Sequence, residues 1–209
     1  MKKEDISLIF SGLSTLMALV ALGIAYQGNE INRRVSVPSV QAQTPYPYAF
    51  LSPQGCGTKQ QDKITYRHVL STIEIPQLAN TGGASINLVR VSVESEPYYW
   101  KIEVFQNGRA ISLPVEIPAY SEPYLLFGAW TEGPELNSVL EVSRFEHSLI
   151  DDARLIRWKF FLGDGQAITI TRSLAMPHEA IVGADLYGIR DCSEALDILR
   201  ESWFRLSRH

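Results

Sequence analysis

Apolar positions follow two different patterns along the chain. From Ile6 to Tyr26 they form a nearly unbroken run, ISLIFSGLSTLMALVALGIAY, with no charge and no proline. At 1.5 Å per residue such a run makes a helix about 31 Å long, close to the roughly 30 Å hydrocarbon core of a bilayer. It exceeds the about 7–15 residues of a signal-peptide apolar region, and Ala21-Leu22-Gly23 is a poor cleavage site inside it. The expectation is therefore an uncleaved transmembrane anchor. A buried helix of a soluble core is the weaker alternative, because charges flank the run on both sides. A pilin-like stem fits badly: the run lacks a glutamate near its start, and Pro38 would interrupt the long helix.

From Ile64 onward the apolar segments shorten and partly alternate, which predicts strands. The candidates are Ile64–Ile75, Ile86–Val93, Trp100–Phe105, Ala110–Ile117, Tyr124–Trp130, Val139–Phe145, Leu155–Leu162 and Ala167–Leu174. Asn107-Gly108 separates two of them and is a strong hairpin signal, because both residues tolerate positive φ. Gly163-Asp164-Gly165 predicts a second hairpin. Ahead of these strands, Gln27 to Arg34 reads as a helical stub and Val35 to Thr44 as an edge strand, where Pro38 is tolerated. The stretch around Pro45, Pro47, Pro53 and Gly55 reads as loop. Near the end, Asp191 can cap a helix with Glu194 completing a capping box, and Leu196, Leu199, Trp203 and Leu206 line one stripe. The predicted organisation is an anchor over 1–27, a linker with an edge strand over 28–63, and a domain over 64–209. The fold class is mainly β, a sandwich of seven to eight strands with an N-terminal transmembrane helix and a C-terminal amphipathic helix.

Composition narrows the function classes. With 20% charged and 45% hydrophobic residues the chain is globular, and a domain of roughly 150–170 residues folds without disulfides or metal. The net charge of −4 argues against nucleic acid as a partner, and Arg154, Arg157 and Lys159 form no basic run. Phosphate loops, nucleophile elbows, dinucleotide fingerprints and His-Glu-x-x-His are absent, so no catalytic residue, cofactor or metal is assigned. His68, His147, His178 and His209 are far apart. Glu94, Glu96, Glu103 and Glu116 read as a polar outer sheet face, and Asp151-Asp152 as a solvated loop. Tyr98-Tyr99-Trp100 is a candidate binding platform, with packing as the plainer explanation.

Within the apolar run, Ser11, Ser14, Ala18, Ala21 and Ala25 recur at spacings of three and four. This small-residue stripe is a candidate helix–helix contact, including with a second copy. Lys2 and Lys3 precede the run and Arg33 and Arg34 follow it. The balance is nearly even, and the closer lysines favour a domain outside the cytoplasm. Cys56 and Cys192 allow two readings. They are two free thiols, or a disulfide that ties the loop before the core to the terminal helix in an oxidising compartment.

The run LANTGGASINLVRVSV, followed later by IPAYSEPYLLF, resembles the immunoglobulin-like sandwich domains of bacterial single-pass membrane proteins. The resemblance covers about two thirds of the chain. It implies a fold and a tether, and no activity or functional residues. The expected function is a membrane-tethered, non-enzymatic sandwich whose partners are the bilayer and a protein, with loops such as Ser52–Asp62 and Ser173–Asp191 making contacts. Two other classes stand beside it: an anchored hydrolase assembled from distant loops, and a structural subunit of a membrane assembly.

Overall fold

The computed structural model describes residues 3–44, 48–60, 63–96, 98–151, 155–175 and 191–208, with side chains of the first helix described over 16–32. In chain order the elements are α1 (Lys3–Ser36), β1 (Val40–Gln43), β2 (Tyr48–Phe50), β3 (Ser52–Gln60), β4 (Lys63–Glu74), β5 (Gln77–Asn80) and β6 (Ile86–Glu94). They continue with β7 (Lys101–Gln106), β8 (Arg109–Ile111), β9 (Val115–Ile117), β10 (Leu126–Glu132), α2 (Val139–Asp151), β11 (Leu155–Leu162), β12 (Ala167–Ala175) and α3 (Cys192–Leu206). The fold is mainly β. Two five-stranded sheets run in the orders β3-β4-β10-β7-β8 and β2-β12-β11-β6-β9, and β1 pairs with β5 in a separate ribbon.

Alternation puts the two sheets face to face. Along β11, Ile156, Trp158, Phe160 and Leu162 are buried while Leu155 and Arg157 are exposed. Those inward residues join Leu88 and Val91 of β6 and Ile170 of β12 in one cluster with Val104 of β7 and Phe127 and Ala129 of β10. Phe127 meets Phe160 edge-on with ring centroids 5.0 Å apart, the geometry that aromatic quadrupoles prefer. Between the sheets, Arg172 of β12 reaches Glu74 of β4, Nε to Oε2 at 3.3 Å, with both side chains almost wholly buried.

Both expected hairpins form. β7 turns into β8 at Asn107 (φ 50°) and Gly108 (φ 70°), and β11 turns into β12 around Gly165 (φ 86°). The first turn also touches the chain's end: Gly108 N–H donates to Ser207 Oγ at 3.1 Å, and a Cβ on Gly108 would lie 2.7 Å from Arg208 Cγ. Gly108→Val should therefore lower stability by roughly 1 kcal/mol or more, since a β-branched residue resists positive φ. Urea denaturation of the two proteins measures it; an unchanged midpoint would contradict the turn.

Several expectations need correction. The strand expected over Ala110–Ile117 is two, β8 and β9, in different sheets, and the described strands number twelve rather than seven to eight. Val139–Phe145 is not a strand but the start of α2. Ser138 caps it, with Glu141 N–H donating to Ser138 Oγ (3.3 Å) and Asn137 N–H donating to Glu141 Oε2 (2.7 Å). The Ser-x-x-Glu spacing outweighs the β-branched residues beside it. The stretch expected as a contact loop from Ser52 is mostly β3, paired along its length with β4. Pro53 and the glycines fit there because β3 is an edge strand. The edge strand expected over Val35–Thr44 begins only at Val40, because α1 continues through Ser36. Of the contact loop expected over Ser173–Asp191, residues 176–190 lie outside the described residues, as does Asp152.

A single side chain, Asn80, fastens the chain leaving α1 to the sandwich. Buried at the end of β5, its Nδ2 donates to the carbonyls of Ala84 (2.9 Å), Pro118 (3.0 Å) and Ile117 (3.3 Å). Its Oδ1 accepts from Gly82 N–H (3.1 Å) and Ser39 N–H (3.2 Å). Thr81 N–H adds a bond to the Ser39 carbonyl at 2.8 Å. Gly82 lies so close to this segment that a Cβ there would come within 2.2 Å of the Val37 carbonyl oxygen.

α1 is one continuous helix. Every residue over 16–27 is exposed, including Leu16, Met17, Leu19, Val20, Leu22 and Ile24. Among the described residues no helix is long and apolar enough to cross a membrane; the side chains of 6–15, the first part of the apolar run, lie outside them.

Candidate functional site

The two sheets differ in what covers their outer faces. Over the β4-β10-β7 face lies α3. Asp191 caps it by accepting from Ser193 N–H at 3.2 Å, and its stripe presents Ala195, Leu196, Leu199 and Trp203 inward. These pack on Val69, Phe105, Leu126 and Trp130, and Trp203 lies flat over Gly128, where a Cβ would come within 2.6 Å of the indole. Leu206, expected on the same stripe, is largely exposed. Polar contacts fix the helix along its length. Arg200 forms a two-pronged ion pair with Glu103 of β7, its Nε at 2.9 Å and 3.0 Å from the two carboxylate oxygens. That carboxylate holds the Arg200 guanidinium above its ordinary pKa, and it also accepts from Trp130 Nε1 at 3.2 Å. Tyr124 Oη donates to the Leu206 carbonyl at 3.1 Å.

Cys192 begins this helix and Cys56 sits in β3. Their sulfurs are bonded, at 2.06 Å, with Cα atoms 4.9 Å apart across 136 residues of sequence. The bond joins the helix to the edge strand of the sheet it covers, and Cys56 packs among the same buried residues.

The outer face of β12-β11-β6 carries no such cover among the described residues. Alternation turns Leu155, Arg157, Lys159 and Phe161 of β11 outward, with Thr169 and Thr171 of β12 and Arg90 and Glu94 of β6 beside them. Arg90 lies over the Phe161 ring at 4.1 Å and Lys159 pairs with Glu94 at 2.6 Å. The face is thus a mixture of aromatic, aliphatic, hydroxyl and charged groups of both signs. At the side of the sandwich, between β6, β7 and β8, a groove of about 430 Å³ is lined by Val89, Val91, Ile102, Val104, Ile111 and Leu113.

The other sequence candidates distribute as follows. Tyr99 is exposed, while Tyr98 and Trp100 meet edge-to-face at 6.3 Å and pack towards Leu51 and Leu70, so the three do not form one platform. Ala18, Ala21 and Ala25 are exposed on α1; the side chains of Ser11 and Ser14 lie outside the described residues. His68 is buried against Phe145 of α2, with ring centroids 5.3 Å apart. His147, His178 and His209 have no described side chain. Of the glutamates, Glu94 and Glu103 are in ion pairs, and Glu96 and Glu116 are exposed. Among the described residues no group of three or more His, Cys, Asp or Glu could hold a metal ion. Two features escaped the sequence reading: the Asn80 fastening, whose partners are scattered from Ser39 to Pro118, and the uncovered sheet face, which depends on where α3 lands.

No protein-family profile matches the chain, and no curated protein is significantly similar to it.

Proposed function

We propose that the chain is a membrane-tethered, non-enzymatic sandwich of immunoglobulin-like type that presents an interaction surface to a protein partner outside the cytoplasm. The observation that carries this reading is α1. A helix that is apolar all round belongs in a protein core or in a bilayer, and over 16–26 this one is exposed on every side. The Cys56–Cys192 bond supports the external side, since disulfides persist in oxidising compartments. Strand order supports the immunoglobulin-like type. β4-β10-β7 and β12-β11-β6 have the adjacency of strands B-E-D and G-F-C in that fold, reached in the same chain order. The β12-β11-β6 face, uncovered among the described residues, is the surface assigned to the partner.

The tether is tested by partition. Membranes from cells making the full chain are washed with alkaline carbonate. The protein stays in the pellet, and a Leu19→Lys, Leu22→Lys variant moves to the wash, because charge in the middle of a span strongly disfavours insertion. Wild-type protein recovered in the wash would overturn the reading.

A further inference from the structure

No flexible linker separates α1 from the sandwich. α1 runs to Ser36, and Val40 already pairs with Asn80 in the β1–β5 ribbon. The three residues between are gripped on both sides. Ser39 N–H donates to Asn80 Oδ1, and the Ser39 carbonyl accepts from Thr81 N–H at 2.8 Å with Thr81 Oγ1 at 3.3 Å. The Val37 carbonyl lies against Gly82, where no side chain fits. Tyr120, held at φ 50°, closes the same corner by donating its N–H to the Gly82 carbonyl at 3.2 Å. A Gly- or Ser-rich tether would behave as a flexible coil. Here both backbone groups of Ser39 are bonded to the Asn80–Thr81 corner.

We infer that α1 and the sandwich move as one rigid unit, and that Asn80, Thr81 and Gly82 are the joint that makes them so. Beyond the apolar run, Gln27–Ser36 is a helical strut about 15 Å long at 1.5 Å per residue. The β12-β11-β6 face is then held at one height and one heading relative to the apolar segment. A rotation or displacement of the helix reaches that face directly, and a partner docking there biases the helix in return. The height above a membrane rests on the tether proposed above; the rigidity of the joint does not.

The experiment measures a distance distribution by pulsed electron paramagnetic resonance on the full chain. Spin labels go on Gly28→Cys, where a side chain meets no atom within 4 Å, and on Thr169→Cys, exposed on β12. The native cysteines are bonded and take no label. A control pair, Glu116→Cys with Thr169→Cys, gives the width expected inside the sandwich. The joint account expects a helix-to-sandwich width within about twofold of the control. Inserting Gly-Gly-Ser between Ser36 and Val37, which leaves Asn80 and its partners in the sandwich intact, is expected to broaden it severalfold. A wild-type distribution as broad as that of the insertion overturns the inference. So does an insertion variant that stays narrow, since something other than the joint would then hold the helix. Both results are read in detergent as well as in lipid, so they stand or fall separately from the carbonate partition.

Discussion

Cys192→Ser should lower the unfolding free energy by about 2–5 kcal/mol, read as a shift in the urea midpoint at constant slope. The Cys56–Cys192 bond closes a loop spanning 136 residues, and cross-links over loops of that length remove much of the unfolded chain's freedom. In the chain-entropy model that amounts to about 5 kcal/mol, with measured losses commonly smaller. Reduced wild-type protein should show the same shift. α3 has other fastenings, in Arg200 on Glu103 and in Trp203 over Gly128, so the variant should still fold. A variant as stable as the oxidised protein would show that the bond constrains nothing.

The second large effect belongs to the pair between the sheets. Glu74→Ala should cost about 3–5 kcal/mol, because it leaves the Arg172 guanidinium buried without a counter-charge. Replacing both, Glu74→Leu with Arg172→Met, should be near neutral, since apolar groups of similar size need no compensation there. Burial raises the Glu74 carboxyl above its ordinary value of 4.5, outweighing the attraction of Arg172. Folding therefore favours the protonated form. This carboxyl's contribution to stability is fully present below pH 4.5 and is lost as pH rises through the raised value. The double variant should lack that part of the pH dependence. Denaturation curves from mildly acidic to neutral pH measure it, and an equal loss in single and double variants would contradict the pairing.

What the sequence revealed was mostly local. Asn107-Gly108 and Gly163-Asp164-Gly165 carry their turn geometry in their own backbones, so both hairpins were legible. Asp191 and the Leu196, Leu199 and Trp203 spacing announced α3 for the same reason. Misreadings arose where two local signals competed. Val139 and Val142 suggested a strand, while Ser138 and Glu141 held the capping spacing that decided for α2. Pro53 and Gly55 suggested a loop, yet an edge strand tolerates both. Contacts between distant segments were out of reach. Glu74 and Arg172 are 98 residues apart, and nothing near either marks it as inward-facing and charged. The partners of Asn80 lie up to 41 residues away. The candidate surface was equally hidden, since an outward row such as Leu155, Arg157, Lys159 and Phe161 becomes a site only once α3 is seen to cover the other sheet.

The central claim, a membrane tether holding a disulfide-closed sandwich on the oxidising side, is tested most directly by thiol accessibility in the membrane fraction. Carbonate-washed membranes from cells making the native chain are denatured and treated with a maleimide-coupled polymer, before and after reduction. The account predicts that the protein is in the washed membranes, shows no mobility shift before reduction, and gains two polymer adducts after it, one each on Cys56 and Cys192. Protein carrying two adducts without reduction would contradict it.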